Sequence, residues 1–209
     1  MHGRVYTDPD IFEEELDKIF YRGWVYVGHA SEIPQPGDFQ VTTIGRHSVI
    51  MVRVEPVRVG RVPAVVGTPE CYVTVAEDDK PALRVDVYAY GPDCLAFQDA
   101  MVWRDNLIVG FGSHVHAISV ADRSALTIDL ESYFGHFYPT PTYLLLASGE
   151  RLFRMEPDRS ILWKSEPLGI DGVVVEEPGP AVVRGVCEWD PPGGWRPFAI
   201  SATDGRTCS

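Results

Sequence analysis

Leu107-Ile108-Val109-Gly110-Phe111-Gly112-Ser113-His114-Val115-His116-Ala117-Ile118, with Asp122-Arg123-Ser124 after it, is echoed further along the chain. The echo is Leu144-Leu145-Leu146-Ala147-Ser148-Gly149-Glu150-Arg151-Leu152-Phe153-Arg154-Met155, with Asp158-Arg159-Ser160 after it. Gly149 stands 37 residues after Gly112, and Arg159 stands 36 after Arg123. A third, looser copy starts at Val182-Val183-Arg184-Gly185, resumes at Trp195-Arg196-Pro197-Phe198-Ala199-Ile200 and closes on Asp204-Gly205. Each copy reads as strand, tight glycine turn, strand, polar turn, strand, the pattern of stacked antiparallel sheets. The expected fold is therefore mainly β, with antiparallel propeller-like or sandwich sheets behind one N-terminal helix.

That helix is well marked. Asp8 suits the cap, Pro9 the first helical position, and Asp10, Glu13 and Glu14 the positive end of the dipole. Ile11, Phe12, Leu16, Ile19 and Phe20 fall on one face, and Gly23 is the stop signal. Trp24 to Val27 reads as a buried strand. Phe39 to Ile44 and Ser48 to Val54 read as a hairpin around Gly45-Arg46-His47. Glu55 to Thr68 is rich in Val, Arg, Gly and Pro without a clean period and reads as a junction. The chain thus divides into residues 1–55, a helix plus strands, and residues 69–209, a β-repeat domain. In the second part, Cys71 to Val75 and Leu83 to Tyr90 read as strands around the acidic turn Glu77-Asp78-Asp79-Lys80-Pro81.

Composition excludes several classes. The 209 residues are 45% hydrophobic and 23% charged, which is globular. Eighteen basic against thirty acidic residues give a net charge of −12, which repels phosphate backbones and anionic membranes. Apolar runs such as Tyr143 to Ala147 are too short to cross a bilayer. Phe12-Glu13-Glu14-Glu15 does not suit a secretory signal, so a cytoplasmic protein is expected. Cys71, Cys94, Cys187 and Cys208 are dispersed and read as free thiols of a reducing compartment, with two disulfides as the alternative for an exported protein.

Tyr6-Thr7-Asp8-Pro9-Asp10-Ile11-Phe12-Glu13 and Ile19-Phe20-Tyr21-Arg22-Gly23-Trp24 begin an ordered series. It continues with Tyr26-Val27-Gly28-His29-Ala30-Ser31-Glu32-Ile33-Pro34, Pro36-Gly37-Asp38 and Ile44-Gly45-Arg46. Read in this order, residues 6–53 resemble the N-terminus of the large subunit of Rieske non-haem iron ring-hydroxylating oxygenases. In that family the segment leads into a domain holding a two-iron cluster through C-x-H and C-x-x-H, and then into a mononuclear iron site. No Cys of this chain stands two or three residues before a His, so the ligands of that cluster are absent. The resemblance implies a fold for this segment and none of the family's metal ligands. The second repeat, continued by Ile161-Leu162-Trp163-Lys164, looks like a blade of quinoprotein-type β-propellers. Three copies are fewer than a closed ring needs, which leaves an open sandwich, a truncated propeller or a ring closed by homo-oligomerisation.

Three constellations stand out. His114 and His116, two apart on a strand, share a face and suit either a metal ion or hydrogen-bonded imidazoles. Glu188-Trp189-Asp190-Pro191-Pro192-Gly193-Gly194-Trp195-Arg196 is a tight reversal. It either brings Trp189 and Trp195 together as a platform, with Arg196 beside them, or pins the loop to the core. Tyr133 and Phe134 open an aromatic string suited to an interface or to a buried corner. No catalytic motif is present, and no cofactor is implied. The reading is a non-catalytic binding or assembly module recognising a protein or small ligand, without nucleic acid or membrane as partner. The alternative is a diverged or accessory fragment of a Rieske-type oxygenase system.

Overall fold

The computed structural model describes residues 3, 7–77, 80–91, 97–190 and 193–208. Tyr6, the Asp78-Asp79 pair, Cys94 and Pro191-Pro192 lie outside the described residues. The chain divides after Glu55 into two compact units.

In the first unit α1 (Pro9–Glu15) starts where the Asp8 carboxylate accepts the Asp10 N–H at 3.1 Å. It continues as a π-type turn, Leu16–Phe20, and ends where the Gly23 N–H bonds the Ile19 carbonyl at 2.8 Å. A side chain on Gly23 would press into that carbonyl, so the position calls for glycine. The hairpin is β1 (Phe39–Ile44) and β2 (His47–Val52), in register from Phe39↔Val52 to Ile44↔His47 around Gly45-Arg46. Gly45 has a φ of 58°, as a two-residue hairpin turn requires. Tyr21 holds this turn: its hydroxyl accepts the Arg46 N–H at 3.1 Å, and its ring packs edge-on against His47. Glu13 pairs with the Arg46 guanidinium.

Two expectations fail in this unit. Of the apolar helix face only Leu16 is buried, while Phe12, Ile19 and Phe20 stay exposed. Trp24 to Val27 forms no strand, and Trp24 is fully exposed. A strand needs a ladder partner, and among the described residues this segment has none.

The second unit is a succession of sheets. The first contains β3 (Val57–Gly60), β4 (Cys71–Glu77) and β5 (Lys80–Tyr88) in the order β3-β5-β4. Residues 55–68, read as a junction, thus supply an edge strand, and β3 runs parallel to β5. Two antiparallel meanders of four strands follow. One is β6 (Asp99–Trp103), β7 (Asn106–Phe111), β8 (His114–Ser119) and β9 (Ala125–Asp129); the other is β10 (Phe134–Pro139), β11 (Leu144–Ser148), β12 (Leu152–Met155) and β13 (Ile161–Lys164). The last sheet is β14 (Val173–Pro178), β15 (Val182–Glu188) and β16 (Trp195–Ser201).

Alternation along the inner strands joins these sheets face to face. Leu107, Val109 and Phe111 of β7 cluster with Val85 and Val87 of the first sheet. Ile108, pointing the other way, joins Phe134, Leu144 and Leu146 of the second meander. In β11, Leu145 and Ala147 turn to Val173, Val183 and Ile200 of the last sheet. Each side chain so buried contributes roughly 1.5–3 kcal/mol.

The polar turns are built alike. Ser124 N–H and Oγ both bond Asp122 Oδ1, at 2.9 and 2.6 Å, and Ser160 repeats both bonds to Asp158 Oδ1. Arg123 and Arg159 carry left-handed φ values of 61° and 73°. After β16 the same turn recurs at Asp204-Gly205-Arg206, with the Arg206 N–H on Asp204 Oδ1 and Gly205 at φ 72°. Beyond it Thr207 bridges Ile200, and the Cys208 N–H bonds the Ala199 carbonyl, on the outer edge of β16. By the period of two, Pro197 faces that same edge.

Sheet spacing depends on Gly110, where a Cβ would lie 2.5 Å from the Phe134 ring. Gly110→Ala is expected to displace that ring and destabilise the protein by about 1–3 kcal/mol, measured by urea denaturation.

Candidate functional site

Successive turns of a meander alternate between its two ends, so the glycine turns and the sheet-to-sheet connections gather at one end of the second unit. Backbone hydrogen bonds tie this end across the sheets. The Phe134 N–H bonds the Gly112 carbonyl at 2.7 Å, Gly149 bonds Tyr133 at 3.0 Å, Gly172 bonds Gly149 at 2.6 Å and Glu188 bonds Gly172 at 3.0 Å. Side chains mounted here stand on fixed backbone.

Tyr133 and Trp195 are both brought to this rim. The Tyr133 ring lies against Gly149, where a Cβ would come within 2.5 Å of it, and its hydroxyl donates to Asp171 Oδ1 at 3.0 Å. Trp195 reaches over Gly172, the residue after Asp171, with its six-membered ring 3.0 Å from where a Cβ would be. Asp171 thus accepts from Tyr133 and directly precedes the glycine that lies under Trp195. Phe97, 43% exposed, extends the row: its ring centroid is 6.4 Å from that of Tyr133 and 4.8 Å from that of His136. Nearby, Glu131 holds Lys164 at 2.6 Å and Arg151 at 3.5 Å.

The other candidates are distributed differently. Phe134 is wholly buried and packs on Gly110 and Phe137, so it belongs to the core and not to an interface. Trp195 pairs with Glu188 across the hairpin, and Trp189, one residue further, points to the opposite face. The two indoles are thus not a joint platform, although both are partly exposed. Arg196 pairs with Cys187 in the same register and is exposed. The reversal itself is held by Gly193 N–H on the Glu188 carboxylate at 2.7 Å and Trp189 N–H on the Gly194 carbonyl at 3.1 Å.

His114 and His116 do share a face, with ring planes 8° apart and centroids at 6.4 Å. Tyr90 stacks on His114 at 4.0 Å, and the two Nδ1 atoms meet the hydroxyls of Ser113 and Thr127, each at 2.9 Å. Burial, with a smaller contribution from the neighbouring His114, lowers the pKa of His116 to about 4. Among the described residues no group of three His, Cys, Asp or Glu side chains is placed to hold a metal ion. At the opposite end, the Ser124 hydroxyl and N–H, with Ser119, hold the Asp122 carboxyl down to about 2. Between the two Asp-Arg-Ser turns an open cavity of about 380 Å³ is lined by Leu126 and Arg159, whose guanidinium donates to the Ser124 carbonyl at 2.8 Å.

Comparison with known proteins bears on a segment of about fifty residues. No family model matches the chain. Salicylate 5-hydroxylase, large oxygenase component, of Ralstonia sp. is 55% identical over 49 residues, 23% of this chain and 12% of that protein. The hydroxylase subunit alpha of methanesulfonate monooxygenase from Methylosulfonomonas methylovora is 50% identical over 51 residues, 24% of this chain and 12% of that one. Biphenyl dioxygenase subunit alpha of Metapseudomonas furukawaii is 44% identical over 50 residues, 24% and 11% respectively. A segment of about fifty residues is therefore similar to Rieske oxygenase large subunits, and the chain spans about one-eighth of the length of these relatives. The residues present do not fit that family's two-iron cluster. Cys187 is buried with its thiol on the Arg196 carbonyl, and Cys71, Cys187 and Cys208 are free and stand in no cluster with His among the described residues. No described helix is long and apolar enough to cross a membrane.

His116 gives a pH test. Its folded pKa lies below the ordinary 6.5, so unfolding takes up a proton between the two values. The stability due to the neutral imidazole is full above pH 6.5 and declines as pH falls, until the folded form also protonates near pH 4. The decline amounts to about 3 kcal/mol. His116→Gln is expected to remove this component, so that the parent's stability minus the variant's, from denaturant titrations at each pH, falls by about 3 kcal/mol from pH 6.5 to 4.

Proposed function

We propose that the second unit is a non-catalytic binding module of the cytoplasm, recognising a protein or small ligand through its glycine-turn rim. The observation that carries this is the rim's construction. Tyr133 and Trp195 stay partly exposed on backbone that hydrogen bonds fix across successive sheets. Preorganised aromatic side chains of this kind lose little entropy on binding. The succession of sheets is compatible with an arc of propeller blades, whose connecting loops commonly serve this role.

Trp195→Ala tests the reading. The expected loss of stability is about 1 kcal/mol, because the indole is 43% exposed and lies at the edge of the sheet over Gly172. In a screen of small organic probes by amide NMR, shifts should gather on residues 131–133, 149–151 and 171–172 and vanish in the variant. A variant that unfolds would show Trp195 to be core and end the proposal.

A second reading rests on the similarity to oxygenase large subunits. Here the first unit is an accessory piece of a Rieske-type system, docking through its exposed apolar side chains without a cluster of its own. Elemental analysis with a visible spectrum tests the missing cluster. The purified protein should carry no iron–thiolate bands, and iron at about two atoms per chain with such bands would overturn this reading and the first.

A further inference from the structure

The rim combines two aromatic side chains with a carboxylate, and that combination selects the charge of its ligand. Asp171 is exposed, accepts the Tyr133 hydroxyl and directly precedes the glycine beneath Trp195. Among the described residues no salt bridge engages it, and Arg151 and Lys164 are both held by Glu131. Aromatic faces alone would accept apolar groups, sugars or cations. The adjacent carboxylate disfavours anions and adds Coulomb attraction for a cation, while the rings add the attraction of their quadrupoles. The chain's net charge of −12 draws basic partners to the surface.

Resting on the binding reading above, we propose that the Tyr133–Asp171–Trp195 rim binds a cationic side chain, lysine or arginine, of a basic protein segment. The cation sits over the Trp195 indole and against the Asp171 carboxylate. The Tyr133 hydroxyl holds that carboxylate in place and remains its hydrogen-bond donor.

The test uses the full chain and two probes of similar size, tetramethylammonium and uncharged neopentyl alcohol, with the Gly172 amide resonance as reporter. Sodium chloride at matched ionic strength is the blank. The expected result is a saturable shift with the cation and binding of the alcohol about tenfold weaker. Asp171→Asn should weaken the cation about tenfold. Trp195→Leu, which keeps apolar cover on Gly172, should weaken the cation and spare the alcohol. Thermal melts of both variants check that the fold is intact. If cation and alcohol bind alike, or if Asp171→Asn binds the cation as the parent does, the charge preference is wrong while the rim remains a binding site. If neither probe moves Gly172 in a folded protein, the inference fails. In that case Trp195→Ala, by unfolding or not, reports separately on the binding reading.

Discussion

Everything in the second unit follows from the double-sided burial of β7 and β11. All residues of Asn106–Phe111 and Leu144–Ser148 are buried. In a strand, successive side chains point to opposite faces, so burial of consecutive residues requires apolar cover on both sides of the sheet. Each meander is therefore obliged to have two neighbours. The first sheet and the second meander satisfy this for β7, and the first meander and the last sheet satisfy it for β11. Close approach then decides the small residues: Gly110 makes room for Phe134, as Gly185 does for Phe198.

The rim is a product of the same stacking. Sheets held face to face bring the connection of one beside the hairpin turn of the next, where Gly149 and Gly172 let the backbone bonds close under Tyr133 and Trp195. Gly149 leaves no space for a methyl group beneath Tyr133, and at Gly172 the Trp195 ring would have to give by a few tenths of an ångström. The chemistry of the rim thus belongs to tertiary structure more than to any motif. Its three members come from a sheet-to-sheet connection, a second connection and a hairpin, far apart in sequence.

What the sequence could reveal was local. Asp8-Pro9, Gly23 and Gly45-Arg46 act through their immediate neighbours, and the helix and hairpin lie where these residues put them. The repeat was legible because Asp122-Arg123-Ser124 and Asp158-Arg159-Ser160 make the same bonds within three residues. β3 was not, because a parallel strand takes its partner from beyond an intervening strand and leaves no hairpin signal. Trp24 to Val27 has strand composition, yet composition does not supply a ladder partner. Phe134 and Tyr133 are adjacent and opposite in fate, since one step along a chain entering a strand reverses the face. The same parity separates Trp189 from Trp195, and only the register Glu188↔Trp195 reveals it. Asp171 had no signal of its own, being one of several aspartates near strand ends.

Proline on the outer edge of β16 has a consequence for the protein in a crowded solution. A sheet edge is a template: a row of free N–H and C=O groups on which another chain can crystallise as one more strand, and then another. Along β16 that row is interrupted at Pro197, which has no N–H to offer, and Thr207 and Cys208 already occupy the positions beside Ile200 and Ala199. An incoming strand finds neither a long run of donors nor an empty start. The edge of the last sheet is thereby protected against the runaway polymerisation to which β-rich chains are prone.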